Sequence, residues 1–174
     1  MGLFGKRSRS ESPTRVSASI PTVQFDRRRV TSAVEAEIRS TLATILELDA
    51  PIPASVYAAA VESVAAGRDL AVLHNSLVGL GLSKSRASEI SRFINNKATA
   101  MMDREKQASL GITHATWLYS GAPCAAAEDA EHQAADGRKY VVAEGLLVGG
   151  RRIWPGYDLG CKCVAKSVVP GFSA

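Results

Sequence analysis

The spacing of apolar residues changes near Gly111, and that change constrains the fold more than any other feature of the chain. Before it, apolar side chains recur every three or four positions. Val34, Ile38, Leu42, Ile45 and Leu46 form one series, Val56, Ala60, Val61 and Val64 a second, and Leu70, Leu73, Leu77 and Leu80 a third. Ala87, Ile90, Ile94, Ala98 and Met101 form the longest. This is the period of helices with one buried face. After Gly111 the apolar pieces are short, β-branched or aromatic, and Gly, Pro and Asp separate them. Such a pattern predicts an α+β chain: an N-terminal α-helical half with one long helix, then a small turn-rich β C-terminal domain.

The punctuation agrees with that division. Thr31 or Ser32 can cap the first helix, and Pro51 and Pro53 close it. Gly67 stops the second helix, Gly79 and Gly81 release the third, and Ser83 or Ser85 caps the fourth. Gly111 then ends the fourth as its C′ residue. Arg86, Arg92, Lys97, Arg104 and Lys106 are expected on the polar side of that helix. Downstream, Thr116–Tyr119 reads as a strand, residues 125–135 as a short helix and Asp136-Gly137 as a turn. Tyr140–Val142 and Leu146–Val148 are expected to pair as a hairpin bending at Glu144-Gly145. Turns follow at Gly149-Gly150 and Pro155-Gly156, and Cys161–Val169 is the last extended piece. Large rings supply the most burial per residue, so Trp117, Tyr140 and Trp154 are expected to form the apolar centre of this domain. Gly137, Gly145 and Gly156 are expected where side chains would oppose the backbone conformation.

Charge marks a third region. Residues 1–30 carry Lys6, Arg7, Arg9, Arg15, Arg27, Arg28 and Arg29 against Glu11 and Asp26, a net +5, whereas the remainder is close to neutral at −1. Ser and Pro lie between these charges, so the segment reads as a basic flexible arm suited to phosphates or an acidic partner surface. The expected organisation is an arm at 1–30, a helical region at 31–111 and a β-rich domain at 112–174. No apolar run approaches the ~18 residues that suggest a membrane span. Met1–Ser10 carries basic residues with no apolar run behind them, unlike a secretory signal.

All three cysteines, Cys124, Cys161 and Cys163, fall in the second half, with His132 eight residues after the first. Three sulfurs and one imidazole are the ligand set of a closed tetrahedral zinc site. The Cys161-x-Cys163 pair can converge on one ion, although Cys124 and His132 lack the tight paired spacing of zinc ribbons. Reduced thiols serving as small apolar residues are the alternative, so the expectation is either no cofactor or one structural zinc.

The patterns that carry catalysis are missing. Glu131-His132 reverses the His-x-Glu order of zinc deaminases, and Pro123-Cys124 has no second cysteine at the required step. A thiol hydrolase built on Cys124 with His132 or His114 lacks a recognisable orienting group. Gly145-x-x-x-Gly149-Gly150 lacks the Lys-Ser/Thr of a phosphate loop. His74 and His114 read as ordinary surface or packed histidines, and the chain is expected not to be an enzyme.

The order of the remaining motifs is more specific. Arg86-Ala87-x-x-Ile90-x-Arg92 leads to Gly111-Ile112 and Trp117, then Ser120-Gly121, His132 and Asp136-Gly137-Arg138-Lys139-Tyr140. Gly145-Leu-Leu-Val148-Gly-Gly and Trp154-Pro155-Gly156 precede the ending Gly160-Cys161-Lys162-Cys163-Val164. Across roughly residues 80–170 this order resembles the C-terminal domain of the phage Mu F-like minor head proteins, also called phage head morphogenesis proteins. Lys162 stands where that family usually has Arg, and Tyr140 where Phe is common. Around Cys124 the family often has other residues, in some members a second cysteine pair. The resemblance implies a structural, low-copy protein of the virion head, assembled in the host cytoplasm. Its partners would be the portal or major capsid protein, with DNA reached through the arm. A small zinc-stabilised nucleic-acid-binding module is the alternative reading.

Overall fold

The computed structural model describes residues 26–46, 51–125, 128–169 and 171. Four helices build the first half: α1 (Ser32–Leu46), α2 (Ala54–Ala65), α3 (Leu70–Gly79) and α4 (Lys84–Ser109). Short polar side chains set their starts. Thr31 Oγ1 accepts from the Val34 amide at 3.3 Å, Asp69 Oδ1 from Ala71 at 3.1 Å, and Ser83 Oγ from Arg86 at 3.3 Å. One core collects Val34, Ile38 and Leu42 of α1, Val56, Ala60 and Val64 of α2, and Leu73 and Leu77 of α3. These close on Ala87, Ile90, Ile94, Ala98 and Met102 of α4.

Met102, not Met101, completes that stripe, while Met101 is half-buried beside it. The steps Ile90, Ile94, Ala98 and Met102 are four residues each, which holds all four side chains on one helix face. At 26 residues α4 is ~39 Å long, enough to serve both halves. Its last turn closes where Ile112 N–H reaches Gln107 O at 2.9 Å, with Gly111 at φ +69°.

In the C-terminal half, β1 (His114–Leu118) is the central strand, antiparallel to β2 (Lys139–Val141) on one side and β5 (Val164–Val168) on the other. Helix α5 (Asp129–Ala134) intervenes between β1 and β2. A separate hairpin pairs β3 (Leu146–Val148) with β4 (Arg151–Ile153). Ala115 and Trp117 alternate inward from β1 into a second core with Ala135, Tyr140, Val142, Leu146, Val148, Ile153 and the three cysteines.

The expected pairing of 140–142 with 146–148 is corrected. Tyr140 faces Ala115 of β1, and the hairpin is instead Leu146–Ile153. A two-residue hairpin loop needs positive φ at both positions to match strand twist, and Gly149 (+54°) and Gly150 (+76°) supply it. The connection from Val142 to Gly145 folds as a turn, with the Glu144 and Gly145 amides both donating to Val141 O. The last extended piece is also shorter than expected, because residues 161–163 form a loop ahead of β5.

Two more expectations change. Lys97 and Arg104 do not lie on a solvated face of α4: Lys97 pairs with Glu37 at 2.7 Å and lies over the Tyr157 ring at 4.6 Å. Arg104 stacks on Trp154 at 3.9 Å. Trp154 itself is only half-buried and flanks the second core rather than centring it, leaving Trp117 and Tyr140 inside. Trp154 is displaced outward because its ring lies under the α4 guanidinium and its Nε1 donates to Val142 O at 2.8 Å.

Candidate metal centre

Cys124, His132, Cys161 and Cys163 meet inside the C-terminal half. One ligand atom from each lies within 4.8 Å of all the others, and all four residues are buried, His132 to 1% exposure. They arrive from three places: the loop after β1, helix α5 and the loop before β5.

Local hydrogen bonds fix each arrival. Asp129, the first residue of α5, accepts the Cys124 amide at 2.7 Å and the Tyr119 hydroxyl at 2.8 Å, tying the first loop to the helix that carries His132. The Cys124 amide and then the Tyr119 hydroxyl hold the Asp129 carboxyl below the usual carboxylate range, and Tyr119 is pushed up to about 12 by the same bond. Asp136 Oδ1 accepts from the Tyr119 amide at 2.8 Å and closes the turn into β2. In the second loop, Cys161 N–H reaches Asp158 O at 3.0 Å. The Gly156 amide donates to Cys161 Sγ at 3.3 Å, and the Lys162 amide to Cys124 Sγ at 3.4 Å. Backbone N–H groups thus already face two of the sulfurs.

Three observations bear on whether these residues suit a metal. A tetrahedron with zinc–sulfur bonds of about 2.3 Å has edges of about 3.8 Å. Cys124 Sγ and Cys163 Sγ are 3.7 Å apart, too far for a disulfide and close to that edge. His132 Nδ1 is buried without a hydrogen-bond partner, while Nε2 faces Asp158 Oδ2 at 3.9 Å. A buried imidazole with one nitrogen unpartnered and a carboxylate near the other is compatible with a metal-ligating histidine, although 3.9 Å is longer than a hydrogen bond. The third observation is electrostatic. Hydrogen bonding from Cys163 lowers Cys161 to about 6, whereas Cys163 is raised by that same bond and Cys124 by burial. Crowding of the three thiols and their burial oppose simultaneous ionisation. The set could hold a metal ion.

Glu128, His132 and Asp158 form a second convergence. Arg151 already neutralises it, reaching Asp158 at 3.0 Å and Glu128 at 3.4 Å. These acids therefore buttress His132. Nothing in the spacing of Asp129, Tyr119 or Asp158 marks them in the sequence, since acids in polar loops are ordinary.

The other expected residues are placed as follows. Lys6, Arg7, Arg9 and Arg15 lie outside the described residues. Arg27, Arg28 and Arg29 form a 3-10 turn and pair with Glu62, Asp26 and Asp103 respectively. Arg27 and Arg29 are thus engaged on the helical body, whereas Arg28 pairs within its own segment and stays exposed. His74 is half-buried and His114 exposed, each beside a polar neighbour. Among the described residues no helix is long and apolar enough to cross a membrane. Comparison of the chain with protein-family models, curated proteins and solved structures finds no match in any of the three.

Proposed function

We propose that this chain is a structural morphogenesis protein of a tailed-phage head, with its C-terminal domain closed around one structural zinc. It would dock on the portal or the inner capsid surface. The reading is supported by the motif order across residues 80–170 that resembles the Mu F-like minor head proteins, in which His132, Cys161 and Cys163 fall, and by the buried cluster that these three form with Cys124. Four protein ligands complete a tetrahedral shell, so an ion held there would brace loops and leave no coordination position for a substrate. Zinc would cross-link three segments; Cys124, His132, Cys161 and Cys163 would hold it, and Asp158 would help orient the imidazole. All four residues are buried, His132 to 1% exposure, although Cys161 and Cys163 also line a groove beside α4.

The experiment is co-expression with the portal and major capsid proteins of a tailed phage, followed by purification of heads and mass spectrometry. The chain is expected in the particles at low copy with one zinc per chain. The Cys161→Ser/Cys163→Ser variant, expressed at equal level, is expected to be missing from them. Absence of the unmodified chain from assembled particles would overturn the reading.

A further inference from the structure

A groove of about 550 Å³ opens between α4 and the C-terminal domain, and its wall carries a concentration of unneutralised cations. Arg68 comes from the loop after α2, Arg104 and Lys106 from α4, and Lys162 from the loop ahead of β5. Among the described residues none of the four forms an ion pair with a carboxylate. The only acid in the lining, Asp103, is bound to Arg29 at 2.8 Å.

Arg104 is built into the wall. Its guanidinium lies 3.9 Å over Trp154 and 5.1 Å from the Tyr157 centroid, and its Nη1 is buried with no hydrogen-bond partner. Stacking fixes the plane of the fork in advance, so the part of the guanidinium that lines the groove has already lost its freedom, while the buried Nη1 faces away from any ligand. Asn96, Thr99 and Ser167 add amide and hydroxyl groups to the lining. Arg, Lys, amide and hydroxyl groups together are the set that contacts phosphate and sugar oxygens.

We propose that this groove binds the phosphodiester backbone of a nucleic acid. The four cations come from three separated segments, which matches a polymer charged at every unit. Arg104 covers the Trp154 face in the wall, so the contact is to backbone rather than by base stacking, and it is independent of sequence. An acidic peptide is the competing occupant. The proposal is separate from docking in a phage head, because DNA binding is read on the purified chain alone.

The test uses the full-length, zinc-loaded chain and a fluorescein-labelled DNA duplex of mixed sequence, with anisotropy followed through a salt series. The Lys106→Gln/Lys162→Gln variant is expected to lower the slope of log affinity against log salt by about two. The Arg86→Gln/Arg92→Gln variant loses the same charge from α4 outside the groove and is expected to leave the slope unchanged. Near-ultraviolet circular dichroism and the absorption of the cobalt-substituted centre check that both variants are folded. Equal slopes for the two variants, or no DNA binding by the unmodified chain, would overturn the proposal. So would displacement of the DNA by polyglutamate as effectively as by unlabelled duplex at equal charge.

Discussion

His132 shows how one side chain is committed from two directions. Trp117 meets its ring edge-on at 5.3 Å, burial removes water, and Asp158 stands 3.9 Å from Nε2. That distance exceeds a hydrogen bond, so Asp158 acts on the imidazole through charge and orientation. Arg151 draws on the same carboxylate at 3.0 Å and dilutes the effect. Loss of a carboxylate behind a ligating histidine typically lowers metal affinity 10- to 100-fold, and the long separation here argues for the low end. Asp158→Asn is therefore expected to weaken zinc binding about tenfold, with Asp158→Glu restoring part of it. Competition against a chromophoric chelator measures the change. An unaltered affinity in Asp158→Asn would mean that the acid only pairs with Arg151.

At the scale of elements, α4 joins the two halves through polar contacts flanking its apolar stripe. Lys97 reaches Glu37 at 2.7 Å and Thr41 Oγ1 at 3.0 Å, and lies over Tyr157 from the C-terminal half. Burial pushes the Glu37 carboxyl up, but Lys97 and Thr41 outweigh it and leave the group below its ordinary value. The folded chain then binds fewer protons at Glu37 than the unfolded one. Its contribution is complete above the ordinary glutamate pKa of about 4.3 and is lost as pH falls through the lowered value. The stability gap between the unmodified chain and Glu37→Gln should be constant near neutrality and shrink below pH of about 4. Urea unfolding at neutral and acid pH checks this; a gap independent of pH would mean that Glu37 contributes by packing alone.

The same elements show what could be read from residue order. Helices α1 to α4 were legible because their burial is local: the four-residue steps of Ile90, Ile94 and Ala98 record the face within a single turn. Strand pairing was not. β2, β3 and β4 have three residues each, too few for a period of two, and β1 finds β5 at the far end of the domain. At the centre, the ligands stood out because cysteine is scarce here, with three in 174 residues. Asp129 and Asp158 were hidden because an acid that ties down a loop looks like any other acid in a loop. Arg104 was read as solvated because its alternative neighbour, Trp154, lies fifty residues later in another element.

For the whole molecule, the two apolar cores differ in self-sufficiency. The helical core draws aliphatic side chains from four helices, whereas the second core contains the three cysteines and several residues no larger than valine. A domain of about sixty residues buries only ~60% of its unfolded surface, and domains of that size commonly need a staple. Structural zinc contributes about 10–16 kcal/mol in zinc-finger peptides, comparable to the entire ~5–15 kcal/mol stability of an ordinary domain. Removing the ion should therefore unfold the C-terminal half and leave most of the helices standing. Both tryptophans lie in that half, Trp117 inside its core and Trp154 against Arg104 of α4, while the far-ultraviolet helical signal reports chiefly on α1 to α4. With a strong chelator, tryptophan emission is expected to shift red and the strand contribution to vanish, with most helical signal retained. Zinc added back at stoichiometric amounts should reverse the shift. If emission and melting temperature are indifferent to chelation, the three thiols are packing residues, and the second core stands without a metal.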